Sequence, residues 1–453
     1  MLLDFGDYFV YYAAFSVNLI SFSVGSAYAW TSPVIPKLKR NESPLPEPTS
    51  TLEDSWITSL INLGAIFGPF LAAFMSERVG RKRALLSFSL PMILCHLISA
   101  FANRVYMFLV ARFLMGVGIG GVYSIVPNYV TEIGEDKNRG LLGCTMSLMI
   151  AFGNVFVYAV GPFVSVQLLS FLNLVPLVMF LVCFGGSVPE TPQHHIKTNN
   201  RKKAEDVLRL FRSKNCNLQE EFAKLVKSME MENSKGSLKD LLTTKPITRA
   251  LIIVIGLMVL QQFSGINAVL CYMETIFGAS KSSYPPEYSV IFVGVVQLIT
   301  TAVTTQLVDK VGRKFLLLLS SIGSSLSLVC LSVYFYLNTN NYNVESILWL
   351  PLVSLIVYII VFNSGLSCIP WAILGELFPS HVKSLSSSIT SMVNLVLAFC
   401  ITMFFPHLAE ILGLASTFLL CASFCATGAV FTFVLVPETK GKSLEDIQKI
   451  LSG

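Results

Sequence analysis

The sequence predicts an all-α integral membrane protein with twelve transmembrane helices in two six-helix halves and a short cytoplasmic helical linker. Of its 453 residues, 53% are hydrophobic and 13% are charged, whereas soluble proteins carry about 25% charged residues. The apolar residues form runs of about 20, which is long enough to cross ~30 Å of hydrocarbon. In addition, short motifs in the first part of the chain recur in the second part.

Apolar runs separated by polar breaks indicate twelve membrane spans. The run that begins near Tyr8 follows Asp4 and Asp7 rather than a basic segment, so we expect it to remain as the first span and not to be a cleaved signal peptide. The predicted spans are 8–30, 55–75, 84–103, 105–128, 140–161, 165–187, 247–273, 288–308, 315–337, 347–371, 383–405 and 411–435.

Basic residues fall mostly on one side of these spans. With residues 1–7 placed in the cytosol, 26 of the 32 Lys and Arg residues lie in inside segments and five lie outside. Cytoplasmic loops of membrane proteins carry such an excess of Lys and Arg. The sequence therefore predicts that both termini are cytoplasmic.

Three motifs recur in the same order on either side of the loop 189–249. ERVGRK at 77–82 recurs as DKVGRK at 309–314, and PET at 189–191 recurs at 437–439. The third motif is an acid followed seven residues later by a base. Two parallel six-span halves follow, and such symmetry places a substrate site at the interface of the halves near mid-membrane.

The repeat and the loop define four predicted segments. We expect an N-terminal half at 1–188, a cytoplasmic linker at 189–246, a C-terminal half at 247–436 and a cytoplasmic tail at 437–453. Apolar residues with helical spacing in the linker, at 204–211 and 222–229, indicate two short amphipathic helices. A plain solvated linker is the alternative.

Acids and bases matched between the two repeats predict a network of ion pairs at the cytoplasmic end. Positive charge on the inside explains the Arg and Lys residues, but it does not explain acids at matching positions. Pairs that form in one state and break in another provide a two-state gate. The predicted members are Arg78, Arg81, Glu132, Arg139 and Glu190 in the first half, and Asp309, Arg313, Glu376, Lys383 and Glu438 in the second.

Polar side chains within the apolar spans are the candidate ligand-binding residues, because such groups are costly in lipid and tend to face a cavity or a partner. The seventh span is richest, with Gln261, Gln262, Ser264 and Asn267, and Gly265 is a weak point in its helix. Amides both donate and accept hydrogen bonds, which suits a neutral polyhydroxylated ligand. For each residue alone, hydrogen bonding between helices is an equally good explanation. The later spans add Gln297, Asn363, Trp371 and Asn394.

Other classes of protein receive little support. The run 116–121 matches GxGxxG, but no strand precedes it and its small residues suit close packing of membrane helices. No catalytic or metal-ligating spacing is visible, so we predict no enzyme, no metal and no cofactor. No basic arm or aromatic-basic stripe points to nucleic acid.

Together these motifs resemble the sugar porters of the major facilitator superfamily over essentially the whole chain, and most of all the insect facilitated trehalose transporters and animal glucose facilitators. The motifs that carry this resemblance are ERVGRK (77–82), RFLMGVGIGG (112–121), VPNYVTEI (126–133), PETP (189–192), QQFSGIN (261–267), DKVGRK (309–314), PWAILGELFP (370–379) and PETKG (437–441).

The resemblance implies which residues bind the sugar and how the protein works. It implies sugar ligands at Gln261, Gln262, Asn267, Gln297, Trp371 and Asn394. It also implies alternating access by rocking of the halves, with the tenth span kinked near Gly365 and Pro370. The sequence departs from the family pattern at Ser147, Gln193, Asn363 and Leu395, which puts selectivity for glucose in doubt.

The expected function is facilitated uniport of trehalose or a hexose across the plasma membrane, with a small neutral sugar and the lipid bilayer as partners. The first span lacks the acid of proton-coupled relatives, which favours uniport. A proton symporter that uses Glu274 and a sugar receptor without transport remain alternatives. Asn41 is the one N-glycosylation sequon and falls in the first outside loop. The oligomeric state stays open, and we expect a monomer to function.

Overall fold

The computed structural model describes residues 8–40, 43–135, 138–212, 218–231, 241, 243–281, 284–442 and 444–452. These residues form helices and connecting segments, and no strand occurs among them. Asn41 lies outside the described residues. The helices before the second half are α1 (Phe9–Ala29), α2 (Thr31–Leu38), α3 (Thr51–Val79), α4 (Arg81–Ala100), α5 (Val105–Ile133), α6 (Arg139–Val160), α7 (Val166–Phe180), α8 (Pro192–Lys197), α9 (Arg201–Leu210) and α10 (Leu218–Met231).

The second half repeats this arrangement and ends in a short helix. In the linker before it, α10 covers the predicted segment 222–229, and α9 covers all of 204–211 except Phe211 and buries Ala204, Val207 and Leu208. The remaining helices are α11 (Lys245–Phe263), α12 (Ile266–Ser280), α13 (Pro286–Val311), α14 (Arg313–Thr339), α15 (Leu350–Ser364), α16 (Ile369–Leu377), α17 (Ser380–Leu435) and α18 (Leu444–Ser452).

The prediction of twelve spans is confirmed by the helices. Among the described residues, eleven helical segments are long and apolar enough to cross a membrane. One of them, Val382–Leu435, has 54 residues and holds two spans. Gly413 separates these spans, because its φ of 78° and ψ of 157° interrupt the helix.

Each half has its own hydrophobic core. One cluster of buried residues lies within 9–211. A second cluster lies within 241–451 and takes only Ala29, Val157 and Tyr158 from the first half. Most of the buried apolar side chains of each half therefore pack within that half.

The glycine-rich run 116–121 serves packing of α5 against α3. A Cβ added at Gly116 would lie 2.1 Å from the carbonyl oxygen of Ile61, and one at Gly120 would lie 2.3 Å from that of Ala65. Only glycine allows the two backbones to approach this closely. The interpretation of this run as a helix-packing motif therefore agrees with the structure.

The two ends of the bundle differ in their polar contacts. We call the end that carries Arg81, Glu132, Arg313 and Glu376 the charged end. The opposite end, which carries Lys37, is called the Lys37 end. There the buried Lys37 ammonium donates to the carbonyl oxygens of Gly161, at 2.6 Å, and of Val164. These bonds attach α2 to the connection between α6 and α7.

Contacts between the halves lie toward the Lys37 end. Asn62 Nδ2 donates to Thr402 Oγ1 at 3.3 Å, and the rings of Trp56 and Phe399 are 6.1 Å apart. Elsewhere on the same side, the Tyr158 hydroxyl donates to Leu270 O at 3.0 Å. At the charged end, by contrast, the Arg81–Glu132 and Arg313–Glu376 ion pairs each stay within one half.

Candidate functional site

The seventh span breaks in the middle of its polar segment. α11 ends at Phe263, Gly265 takes the left-handed conformation with φ 84°, and α12 begins at Ile266. The break brings Asn267 Nδ2 within 2.6 Å of Gln262 Oε1. Residues five apart in a continuous helix point in different directions, so this bond depends on the break. The pair presents one amide donor and one amide acceptor that bond to no described residue.

Gln261 faces a different set of neighbours. Its Nε2 donates to Leu366 O at 2.6 Å and to Ser367 O at 3.1 Å, both in the break between α15 and α16. Its Oε1 accepts a bond of 3.0 Å from Asn394 Nδ2. Gln261 and Asn394 thus join the seventh, tenth and eleventh spans in this arrangement, which is the interhelical role that the sequence left open.

Gln297 pairs with a residue of the first half that the sequence analysis missed. Asn154 Nδ2 in α6 donates to Gln297 Oε1 in α13 at 3.4 Å. Asn154 is 4% exposed, and its Oδ1 is buried without a hydrogen-bond partner among the described residues. The sequence holds a signal for this residue, because Asn154 is an amide within the apolar run 140–161.

Trp371 and Asn363 lie on either side of the break in the tenth span. Asn363 is 6% exposed and its Nδ2 donates to Thr300 Oγ1 at 3.0 Å. Trp371, at the start of α16, is 40% exposed, and an indole ring has a flat face and an N–H donor. The structure therefore places an accessible aromatic ring directly after the loop that Gln261 holds.

Arg112 is a buried cation in the first half, with 2% of its surface exposed. Its Nε donates to Ile57 O at 3.0 Å and its Nη1 to Ala27 O at 2.7 Å. The guanidinium lies 5.3 Å from the Trp30 ring centroid. Backbone carbonyls and an aromatic face, and no described carboxylate, stabilise this charge.

At the charged end, Arg81 joins two acids of the first half. Its Nε and Nη2 lie 3.1 and 3.0 Å from Glu132 Oε1. The Glu190 carboxylate accepts from the backbone N–H groups of Arg81 and Lys82 at 2.9 to 3.1 Å. Glu190 therefore caps the N-terminus of α4, where backbone donors lack helical partners and negative charge is favourable.

The second half repeats this geometry. Arg313 Nε and Nη2 lie 3.2 and 2.9 Å from Glu376 Oε1. Glu438 accepts from the backbone N–H groups of Arg313 and Lys314 at 3.0 and 3.1 Å. Gly80 and Gly312 precede the two capped helices with φ of 94° and 106°. The sequence repeat is thus also a repeat of hydrogen bonds.

Opposing effects set the pKa of Glu438. Burial alone raises the pKa of this carboxyl, but backbone N–H groups of Lys440, Arg313, Lys314 and Thr439 hold it below its ordinary value. In the first half, burial and the nearby cations Arg81, Arg83 and Lys197 lower the pKa of His194.

The other predicted members of the network have different surroundings. Arg78 is exposed and its guanidinium lies 4.1 Å from the Phe74 ring centroid. Lys383 is exposed at the start of α17 and shares a pocket with Arg313 and Glu376. The side chains of Arg139 and Asp309 lie outside the described part of the chain. The sequence analysis did not place Gln193 in the network, yet in the amide orientation that satisfies its neighbours Gln193 donates to both Glu132 oxygens at 2.8 Å.

Two helical bundles that enclose amide side chains at their interface define a membrane transporter of two halves. A family model described as sugar (and other) transporter matches residues 12–451. The chain belongs to this family. Among the described residues, no group of three His, Cys, Asp or Glu side chains is placed to hold a metal ion.

Several similar proteins are facilitated trehalose transporters named Tret1. The chain is 34% identical to those of Anopheles gambiae, Culex quinquefasciatus and Bombyx mori, in each case over 97% of its length. It spans 56% of the Anopheles protein, 85% of the Culex protein and 86% of the Bombyx protein.

Among solved structures, the fold is similar to the xylose transporter XylE from E. coli. Its inward open conformation gives a TM-score of 0.81 at 21% identity, covering 97% of this chain and 99% of that one. Its partially occluded inward open conformation gives 0.80 at 22% identity, covering 96% and 100%. The major facilitator fold inferred from the sequence is confirmed.

Proposed function

We propose that the protein is a facilitative sugar transporter that moves trehalose or a hexose by alternating access of its two halves. The observation that carries this proposal is the set of amide side chains at the interface, where Asn154 of the first half meets Gln297 of the second. Amides suit the hydroxyl groups of a neutral sugar, since each group both donates and accepts. The identity to facilitated trehalose transporters supports the same substrate class.

The proposed sugar ligands are the six residues predicted from the sequence together with Asn154. Gln262 and Asn267 are the strongest members, because each keeps an amide group that bonds to no described residue. Trp371 contributes its exposed ring. Gln261 and Asn394 bond to each other and to the tenth span in this arrangement, so they reach a sugar only by exchanging those bonds.

The proposed orientation places both termini and the charged end in the cytosol, in the plasma membrane. It rests on the excess of Lys and Arg in the segments assigned to that side. Because the halves contact each other toward the Lys37 end, this arrangement gives access to the site from the cytosol. The network of ten residues is proposed to hold the charged ends together in the opposite state.

Uniport is favoured over proton symport by the surroundings of Arg112. Carbonyl oxygens rather than an acid receive its hydrogen bonds, and residues 24–28 of the first span hold no acid. Glu274 is the alternative proton carrier, since it is 4% exposed and its Oε2 has no hydrogen-bond partner among the described residues.

Uptake of labelled trehalose and glucose into cells that express the protein tests the proposal. We expect uptake that saturates and that a proton uncoupler does not change. Loss of uptake with the uncoupler would favour the symporter. Competition by trehalose, glucose, fructose and polyols identifies the preferred sugar. Sugar binding without flux in proteoliposomes would instead indicate a receptor.

A further inference from the structure

A pocket of about 440 Å³ opens at the charged end of the second half. It lies between the start of α14, the end of α16, the start of α17 and the tail that precedes α18. Three cationic side chains and one carboxylate line it, together with a threonine and a glycine of the tail. These residues are Arg313, Lys383, Lys442, Glu376, Thr439 and Gly441.

Among the described residues that line this pocket, positive charge exceeds negative charge. One oxygen of Glu376 receives both Arg313 bonds. Lys383 and Lys442 form no ion pair with a described residue, and both are exposed. The Lys383 ammonium lies 3.8 Å from the position that a Cβ on Gly375 would take, which puts it over the wall of the pocket. An anion that enters the pocket can therefore pair with two ammonium groups that form no ion pair with a described acid.

Two further groups in the pocket have no hydrogen-bond partner in the described part of the chain. Thr439 is 3% exposed, and its Oγ1 has no hydrogen-bond partner among the described residues. Glu376 Oε2 is also buried without one. An unsatisfied buried polar atom costs free energy, so such atoms are expected to bind something. The lining of the pocket thus includes a hydroxyl that can donate and a carboxylate oxygen that can only accept.

The corresponding place in the first half is filled by the chain itself. Thr191 Oγ1 accepts from the His194 backbone N–H at 3.4 Å at the start of α8. The Gln193 amide, in its satisfied orientation, donates to both oxygens of Glu132. In the second half the chain turns away at Gly441, with φ 70°, and leaves the space open. The threonine and the acid at this place are therefore hydrogen-bonded within the chain in the first half, whereas in the second half Thr439 Oγ1 and Glu376 Oε2 have no described partner.

We propose that the pocket binds a phosphate monoester group, carried by a lipid headgroup or by a soluble phosphate compound. Lys383 and Lys442 neutralise its charge, and the Thr439 hydroxyl donates to a phosphate oxygen. A phosphate monoester has its second pKa near 6, so its singly protonated form is available near neutral pH. The P–O–H group of that form donates to Glu376 Oε2. Sulfate carries no proton at this pH and cannot make the last bond.

The test measures anion binding to the full chain in nanodiscs of phosphatidylcholine, without sugar. Inorganic phosphate is expected to raise the unfolding temperature, and sulfate at matched ionic strength is expected to raise it much less. Lys442→Gln and Thr439→Val should each weaken phosphate binding by roughly tenfold or more, because each removes a hydrogen bond to a charged group. Lys440→Gln is the control, because Lys440 follows Thr439 in the sequence but does not line the pocket. This variant should bind phosphate as the unchanged protein does.

A second arm identifies the source of the phosphate. Discs that contain phosphatidylinositol 4-phosphate, without soluble phosphate, stabilise the protein if a lipid headgroup fills the pocket. Stabilisation by soluble phosphate alone assigns a soluble ligand, and both results support the site. Equal responses to phosphate, sulfate and chloride overturn it, as does unchanged phosphate binding by both variants. Unfolding temperatures without ligand show that each variant is folded. Because no sugar is present, these results are independent of the proposed transport.

Discussion

At the scale of single residues, the structure separates amides that keep groups without a described hydrogen-bond partner from amides that hold helices together. Gln261 and Gln262 are adjacent in sequence and nearly equally buried, at 6% and 4% exposure. Yet the Gln261 amide hydrogens are directed to carbonyl oxygens of the tenth span, whereas Gln262 accepts from Asn267 and keeps its own hydrogens available. Residue type alone does not distinguish these roles, because the Gln262 contact depends on the break at Gly265 and the Gln261 contacts depend on the break in the tenth span.

Gln262→Ala is expected to weaken sugar binding. A ligand hydroxyl left without its partner costs ~1–3 kcal/mol, which corresponds to roughly five- to 150-fold in affinity. The measurement is equilibrium binding of the transported sugar to the purified protein. Asn128→Ala is the control, since Asn128 is exposed and donates only to Ser124 O. Equal affinity in the Gln262→Ala variant and the unchanged protein would remove Gln262 from the site.

Glu438 is expected to make stability depend on acidity. Its pKa is lower in the folded protein than its ordinary value, because backbone N–H groups outweigh the effect of burial. The stability that this carboxylate adds is therefore fully present above its ordinary pKa and is lost as the pH falls through the folded pKa. Thermal unfolding of the unchanged protein and of Glu438→Gln, followed from neutral to acidic pH, checks this. We expect the difference between them to shrink as the pH falls, and a difference that stays constant would contradict the prediction.

At the scale of helices, the breaks position the site. Apolar runs and a positive-inside pattern predict where spans lie, because length and charge decide insertion. The glycine at 265 also predicts a weak point in the seventh span, but the sequence does not show that the break turns Asn267 toward Gln262. The sequence also does not show that the carbonyl oxygens of Leu366 and Ser367 accept from Gln261. Every residue has a backbone carbonyl, so residue type does not reveal which carbonyl groups lack a helical partner.

Gly265→Ala is expected to destabilise the protein. A residue with a Cβ pays ~1–2 kcal/mol in the left-handed conformation, and the added Cβ would contact Cys421 Sγ at 3.0 Å. Thermal unfolding in detergent gives the measurement. Gly278→Ala in the same span is a matched control, because a Cβ there meets nothing within 4 Å and its position is helical. Similar unfolding temperatures for the two variants would show that the conformation of Gly265 is not required.

Gly116→Ala is expected to separate α3 from α5. The added Cβ would lie 2.1 Å from the Ile61 carbonyl oxygen, and such overpacking costs ~1–3 kcal/mol. The yield of folded protein and its unfolding temperature report the effect. Gly143→Ala in α6 adds the same atom in open space and should leave both unchanged. If Gly116→Ala behaves as Gly143→Ala does, close approach of the two backbones is not needed for folding.

At the scale of the whole molecule, the two ends of the bundle differ in whether their contacts join the halves or stay within one half. Contacts between halves toward the Lys37 end include a polar pair, Asn62 with Thr402, and a ring contact, Trp56 with Phe399. At the charged end, the Arg81–Glu132 and Arg313–Glu376 pairs brace each half internally. The sequence predicts the members of this network from the repeat. It cannot say which pairs form in which state, because one charge pattern serves both states.

Arg81→Gln is expected to slow transport without changing the sugar contacts. If the charged ends meet when the site opens on the other side, loss of a network member destabilises that state, and each 1.4 kcal/mol shifts the balance about tenfold. We therefore expect the maximal uptake rate to fall severalfold. The affinity for sugar that is added on the side of the charged end should stay within about twofold of that of the unchanged protein. Arg83→Gln removes an exposed cation from the same segment that is not a member of the network, so it should transport normally. Equal losses in both variants would attribute the effect to positive charge in the loop rather than to the Arg81–Glu132 pair.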